Sequence, residues 1–152
     1  NDFWVIEKLR INADLIICEF NGIFGDIYEI TVPYKKDFVR SKEHYSNLYY
    51  GCSIKSLISL LLKKKYYFIG TNSAGNNAYF LNQKNYKLIK NKIKRIKIFS
   101  PKFRESRNTK SKKTFLPYYE GIKLISDKKV YDLKKKKFIK IKDLSKIYSK
   151  NY

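Results

Sequence analysis

The stretch LIICEF, residues 15–20, decides the fold. It is a nearly continuous apolar run of strand length, and polar residues bound it on both sides. A run without polar alternation is typical of a strand that is covered on both faces, as in a parallel sheet. We therefore predict that residues 15–20 form an interior strand whose C-terminal end opens on a pocket. The predicted architecture and the candidate site both depend on this strand.

The segments around this run predict an α/β order. Residues 3–10, FWVIEKLR, have their apolar side chains at helical spacing, and so do residues 53–65, SIKSLISLLLKKK. A long connection, residues 21–51, separates the strand from the second helix and is rich in aromatic, Gly and charged residues. Residues 66–81 contain two β-prone runs around the loop TNSAGNN, which predicts an antiparallel hairpin.

The C-terminal third of the sequence is polar and basic. Residues 84–98 predict a basic helix or a frayed helical segment, and residues 100–113 an exposed excursion. Residues 130–141, VYDLKKKKFIKI, predict two short strands around a lysine turn, although four lysines are equally compatible with disorder. We therefore divide the chain into a domain over residues 1–98 and a basic extension, with a small hairpin, over residues 99–152.

Length and composition limit the class of protein. The 152 residues are enough for one domain with a real core. The chain begins at Asn1 and contains no Met, so we expect an upstream segment to be missing. No secretion leader or membrane-spanning run is visible, which favours a cytoplasmic location without membrane contact. Cys18, Cys52 and His44 have no metal-ligand spacing, and we expect neither a metal site nor a disulfide.

The net charge of +21 raises the alternative of a nucleic-acid partner. The 34 basic residues comprise 29 Lys and 5 Arg, whereas recognition of base edges and bidentate recognition of phosphates favour the Arg fork. Lys, Ile, Asn, Tyr and Phe are all residues of A/T-rich codons, so genome composition can explain the excess without a partner. We favour a solvated basic surface over a nucleic-acid face.

Four blocks of the sequence carry a resemblance to a known family. They are NDFWVIEKL, IICEFNGIFG, ITVPYKKDFVRSKEHYSNLYYGCSIKSL and YYFIGTNSAGNNAYFL, in that order. They resemble the signature blocks of a bacterial group related to the FkbM methyltransferases. The likeness covers residues 1–82, and KFRESR and VYDLKKKKFIKIKDL follow it more loosely. Many members of that group are labelled only as hypothetical proteins.

The resemblance implies the C-terminal portion of a class I methyltransferase, whose Rossmann-like sheet ends in an antiparallel hairpin. It implies S-adenosylmethionine as the cofactor, and a methyl acceptor that is an unknown small molecule or glycan with an O or N nucleophile. The Gly-rich loop and the acidic residue that hold the cofactor would then lie upstream of Asn1. The chain would carry the acceptor side of the cleft and, on its own, would be inactive and bind no cofactor.

Three side chains are candidates for acid-base help with methyl transfer. Asp2 matches the second acidic residue of the group's pattern after the fourth strand, or it is a plain helix cap. Glu19 ends the apolar strand, where it faces a polar cleft or pairs with a lysine or Arg40. His44, the single histidine, is a base or donor among tyrosines, or an ordinary loop residue.

Five further residues are candidates for substrate binding. Asn21 follows the strand and either bonds substrate or forms an Asx-turn. Tyr45 and Tyr49 would supply aromatic walls beside the histidine. Asn72 and Asn76, in the hairpin loop, offer amide groups to a ligand or make ordinary turn contacts.

Two functional hypotheses from different classes follow. The first is a methyltransferase-type enzyme in which the protein aligns the acceptor and excludes water, with modest acid-base help. The second is a non-catalytic module whose basic, aromatic surface binds RNA or an acidic partner. Cofactor binding favours the first, whereas tight, salt-sensitive binding by the chain itself favours the second.

Overall fold

A computed structural model describes residues 2–101 and 104–152. Within these residues the protein is a mixed α/β structure with two three-stranded sheets and one two-stranded sheet, all paired antiparallel. Short 3-10 helices occur at Gly22–Phe24, Lys90–Lys92 and Ile141–Asp143. The helices and strands are α1 (Asp2–Lys8), β1 (Leu15–Glu19), β2 (Ile30–Thr31), α2 (Arg40–Glu43), α3 (Ile54–Lys63), β3 (Tyr66–Thr71), β4 (Asn77–Asn82), α4 (Gln83–Ile89), β5 (Arg104–Arg107), β6 (Lys113–Leu116), α5 (Tyr118–Leu124), β7 (Lys129–Asp132) and β8 (Lys137–Lys140).

The first sheet has the strand order β1-β4-β3. Strand β4 is antiparallel to both neighbours, with Cys18 opposite Ala78 and Phe68 opposite Phe80. Strands β1 and β3 therefore run in the same direction, with β4 reversed between them. The predicted hairpin over residues 66–81 is confirmed.

Strand β1 exists where the sequence predicts it, but the prediction of an interior strand in a parallel sheet is wrong for the described chain. It lies at the edge of the first sheet and is antiparallel to β4. Leu15 and Ile17 are 45% and 56% exposed, whereas Cys18 and Phe20 are buried. The side chains of β1 alternate between solvent and core, but the sequence does not reveal this alternation, because Leu15 and Ile17 are as hydrophobic as the side chains that face the core.

Helices α1 and α3 pack on the inner face of this sheet and form the first core with it. The predicted α3 is confirmed: Ser53 caps it, its hydroxyl accepting from the Ser56 amide at 3.2 Å. Leu57 and Leu61, one turn apart, are fully buried against the sheet. The predicted α1 is also present, with Phe3 as its buried residue.

A second core lies around the sheet β2-β7-β8. It combines buried residues from the long connection, between 23 and 49, with buried residues between 122 and 144. A division of the chain at residue 98 therefore separates residues that pack together in this core. The hairpin of β7 and β8 around the lysine turn is confirmed, and the carboxylate of Asp132 accepts from the Lys134 and Lys135 amides to form that turn.

Several elements differ from their predictions. The basic helix ends at Ile89, followed by a single 3-10 turn, and is therefore shorter than the predicted 84–98. Residues 100–113 are not a wholly exposed excursion, because β5 pairs with β6 and Ser106 is fully buried. Helix α5 was not expected. None of the helices in the described parts of the chain is long and apolar enough to cross a bilayer.

The two faces of β1 give a direct test of its edge position. We expect Phe20→Ala to lower the free energy of unfolding by about 3–5 kcal/mol, because it leaves a cavity in a fully buried site. Ile17→Thr should change it by less than about 0.5 kcal/mol, since that side chain is exposed. Urea unfolding of both variants measures the difference, and equal losses would place β1 inside a sheet after all.

Candidate functional site

The two acidic candidates lie at the same end of the first sheet. Glu19 is the last residue of β1, and Asp2 is the first residue of α1. The carboxylate of Asp2 is close enough to Cys18 to add to the effect of burial, and together they raise the pKa of that thiol to about 11. Asp2 also stands in the first helical turn, where its charge stabilises the helix dipole. The position of Asp2 is therefore compatible both with a helix cap and with a catalytic role.

Glu19 belongs to a chain of polar contacts that leads away from the sheet. The Tyr50 hydroxyl donates to the Glu19 carboxylate at 3.5 Å, the outer limit of a hydrogen bond. The guanidinium of Arg40 lies 3.8 Å from the centroid of the Tyr50 ring. An Arg stacked on an aromatic face is held in place and keeps its charge next to the carboxylate.

Arg40 is the electrostatic centre of this cluster. Its Nε donates to the Asn47 carbonyl, and burial lowers its pKa, while Glu19 and Glu105 act in the opposite direction. A groove of about 440 Å³ beside it is lined by Arg40, Asn47 and Glu105, among others. The sequence suggested Arg40 only as an ion-pair partner and gave no sign of Glu105, because β5 comes from a segment without periodicity.

The His44 candidate makes a separate set of contacts. Its Nδ1 lies 2.7 Å from the Ser46 hydroxyl and accepts from the Ser46 amide at 3.3 Å. Its ring packs at 4.4 Å between centroids against Tyr45, which is 43% exposed. Burial, and then the nearby Lys128 charge, lower the pKa of His44. Among the contacts of the described residues, none joins His44 to Glu19 or Asp2.

Asn21 is fully buried and its amide is committed to the main chain. Its Nδ2 donates to the carbonyls of Leu48 and Tyr50 at 2.8 and 3.0 Å, and its Oδ1 accepts from the Ile23 amide at 3.2 Å. Both amide hydrogens are used, and the Oδ1 contact is the Asx-turn that the sequence also allowed. In this structure Asn21 orders the strand end rather than presenting a donor to a ligand.

Three of the other candidates for substrate binding also make contacts within the protein, namely Tyr49, Asn72 and Asn76. Tyr49 is buried in the second core, donates to the Lys129 carbonyl, and has its pKa raised to about 12, mainly by burial. The Oδ1 of Asn72 accepts from the amides of Asn76 and Asn77, and its Nδ2 donates to the Asn76 Oδ1 at 2.7 Å. These are turn contacts, and they close the hairpin loop.

Two glycines of the signature blocks, Gly22 and Gly75, are tightly packed. A Cβ on Gly22 would lie 2.6 Å from the Pro101 ring, and one on Gly75 would lie 2.5 Å from the Phe99 carbonyl. Residues 99–101 therefore pack directly against these two glycines, and neither glycine leaves an open cradle for a cofactor. The described residues contain no group of three side chains that could hold a metal ion.

The arrangement at the end of β1 can orient a polar ligand. Glu19 can accept a hydrogen bond from a hydroxyl or amine, while Tyr50 and Arg40 hold its carboxylate in place and balance its charge. The buried thiols are poor nucleophiles, because burial raises the pKa of both Cys18 and Cys52.

The chain matches no protein-family model, no curated protein and no solved structure.

We expect Asn21→Ala to lower the free energy of unfolding by about 2–4 kcal/mol, because two buried carbonyls lose their donors and the 3-10 turn loses its cap. Asn108→Ala is the matched control. It removes a comparable Asx contact at an exposed turn and should cost less than about 1 kcal/mol. Urea unfolding of the two variants measures both values. A loss no larger at Asn21 than at Asn108 would contradict the buried network.

The single histidine makes its effect on stability measurable. A pKa below the ordinary value of about 6.5 means that the folded state disfavours the imidazolium. Protonation then favours the unfolded state, so stability is fully present above about pH 6.5 and falls as the pH drops below it. We expect His44→Gln to flatten this dependence between about pH 7.5 and 5.5, measured by urea unfolding. The same slope in both proteins would show that His44 is not the group responsible.

Proposed function

We propose that this chain is the C-terminal part of an S-adenosylmethionine-dependent, Rossmann-like methyltransferase-type protein and carries the acceptor side of its cleft. The observation that carries the proposal is the strand order β1-β4-β3. Two strands of the same direction, β1 and β3, enclose a reversed one, and the helices that precede them, α1 and α3, pack on one face. This strand order is compatible with the antiparallel end of a larger α/β sheet, which is the architecture that the sequence resemblance implies.

The outer edge of β1 supports the same proposal. The Asp14 carbonyl accepts from the Asn82 amide, and the Phe20 amide donates to the Asn76 carbonyl. In an antiparallel ladder the alternate residues, Leu15, Ile17 and Glu19, therefore direct their main-chain groups away from β4. No described strand pairs with that edge. In the proposal, the remaining parallel strands of the sheet continue from it, and the residues that hold the cofactor lie on them.

In this proposal the cofactor supplies the methyl group, and this chain positions the acceptor. Ligands of open α/β sheets bind outside the carboxyl ends of the strands, which is where Glu19 and Asp2 lie. Glu19 would accept a hydrogen bond from the acceptor hydroxyl or amine and so direct its lone pair. Arg40, through Tyr50, keeps the carboxylate oriented. Alignment of this kind can lower the barrier without strong acid-base chemistry.

The test uses Glu19→Gln in the longer protein that the proposal requires. We expect it to lower turnover about a hundredfold, because a neutral amide accepts the hydrogen bond of the acceptor more weakly than a carboxylate and gives it no proton acceptor, while the free energy of unfolding changes by less than about 1 kcal/mol. Turnover is measured as S-adenosylhomocysteine formed in the presence of a small-molecule extract from the source cells. Glu120→Gln is the control, since Glu120 is an exposed partner of Lys123 on α5, and should keep normal turnover.

Calorimetry with S-adenosylmethionine distinguishes the ways in which the proposal fails. The longer protein and its Glu19→Gln variant should bind the cofactor equally, and the 152-residue chain alone should show no binding. Absence of binding by the longer protein would overturn the methyltransferase assignment. Unchanged turnover with lost stability in Glu19→Gln would make Glu19 a structural ion-pair residue. Micromolar binding by the chain alone would contradict the placement of the cofactor residues outside it.

A further inference from the structure

A second exposed site lies on the hairpin of β7 and β8, in the second sheet. The register pairs Tyr131 with Phe138 and Lys129 with Lys140, so these four side chains share one face of the hairpin. The opposite face carries Val130, which is fully buried in the second core. The aromatic and lysine side chains therefore form the outer face, which we call the β7–β8 face.

Aromatic contacts hold the rings of this face in place. Phe138 is 58% exposed and packs edge to face against Tyr131 at 5.2 Å between centroids. Tyr131 in turn contacts Trp4 at 5.7 Å, and the Trp4 indole donates to the Val32 carbonyl at 2.9 Å. An exposed phenyl ring on a β-strand, supported from one side, offers a rigid flat surface at small entropic cost.

Lysines surround the exposed ring. A groove of about 530 Å³ beside Phe138 is lined by Lys129, Lys137, Lys140 and Lys142, with Asp143 as the acidic residue in its lining. Lys142 is paired with the Asp127 carboxylate at 2.7 Å, which leaves three lysines to balance Asp143. Three further lysines, Lys134, Lys135 and Lys136, form the turn that joins the two strands. The local charge is strongly positive.

A positive groove beside an exposed ring matches the chemistry of single-stranded nucleic acid. Lysines neutralise phosphates along the backbone, and an aromatic face stacks with an unpaired base of any identity. An acidic protein segment would use the lysines but not the flat face of the ring, whereas an unpaired nucleotide uses both. The lining of the groove contains Lys and no Arg, which favours contact with phosphates over reading of base edges.

We propose that the β7–β8 face binds single-stranded nucleic acid, with Phe138 stacking on a base and Lys129 and Lys140 contacting phosphates. The site does not depend on methyl transfer, since its residues lie in a different sheet from the end of β1. Binding is tolerant of sequence and sensitive to salt.

The test is fluorescence anisotropy of the 152-residue chain with a labelled single-stranded oligouridine of about 12 nucleotides, within the range of such sites. Phe138→Ala should weaken binding about tenfold. Phe115→Ala is the matched control, because Phe115 is 61% exposed on β6 and also has a lysine, Lys113, near its ring. It should bind as the parent does. Equal weakening by both variants, or by neither, would overturn the proposal.

Charge variants and competitors separate this site from general attraction to a basic protein. Lys140→Glu should lower the slope of log affinity against log salt by about 0.7, one phosphate contact, whereas Lys110→Glu at an exposed turn should not change it. A duplex of the same length should bind about tenfold more weakly, because its bases are not free to stack. If the duplex binds as tightly as the single strand, the attraction is nonspecific and the proposal is overturned. If polyglutamate displaces the labelled strand as well as an unlabelled single strand does, the partner is an acidic protein instead.

Discussion

The buried residue Asn21 connects the two cores of the protein through its main-chain amide and its side-chain amide. On one side it follows Phe20, whose side chain fills the first core, and its own main-chain amide donates to the Cys52 carbonyl. On the other side its side chain holds the carbonyls of Leu48 and Tyr50 and starts the turn that places Ile23 in the second core. An unpaired carbonyl in such a place costs about 1–3 kcal/mol, so the three contacts fix one geometry. Through Tyr50 they also fix the neighbour of Glu19.

The parts of the fold that the sequence predicts are those with local signals. Helix α3 has an apolar stripe and a serine cap, and the β3–β4 hairpin has a recognisable turn, whereas the lysine turn of the β7–β8 hairpin was equally compatible with disorder. The edge position of β1 has no such signal, because it depends on which strand pairs with it. The second core was also invisible, since it joins Ile30 with Val130 across a hundred residues that no periodicity connects.

The candidate site shows the same division between local and distant information. Glu19 was chosen because it ends an apolar run and Asp2 because of the sequence resemblance, and both lie at one end of the first sheet. The amides of Asn21, Asn72 and Asn76 have suitable chemistry for a ligand, yet each is used by the main chain or by a neighbouring amide. A sequence gives the inventory of polar groups, whereas the fold decides which of them remain for a ligand.

The distribution of charge explains how one basic chain can carry two different surfaces. At the end of β1, the charges of Glu19 and Glu105 act against that of Arg40, so the groove beside it carries charges of both signs. At the β7–β8 face the acidic side chain of Asp132 points inward, where it accepts from the turn amides and is only 2% exposed. Its burial shapes the hairpin and removes a negative group from the surface. The lysines of the groove beside the exposed ring therefore outnumber the two carboxylates close to them, Asp127 and Asp143.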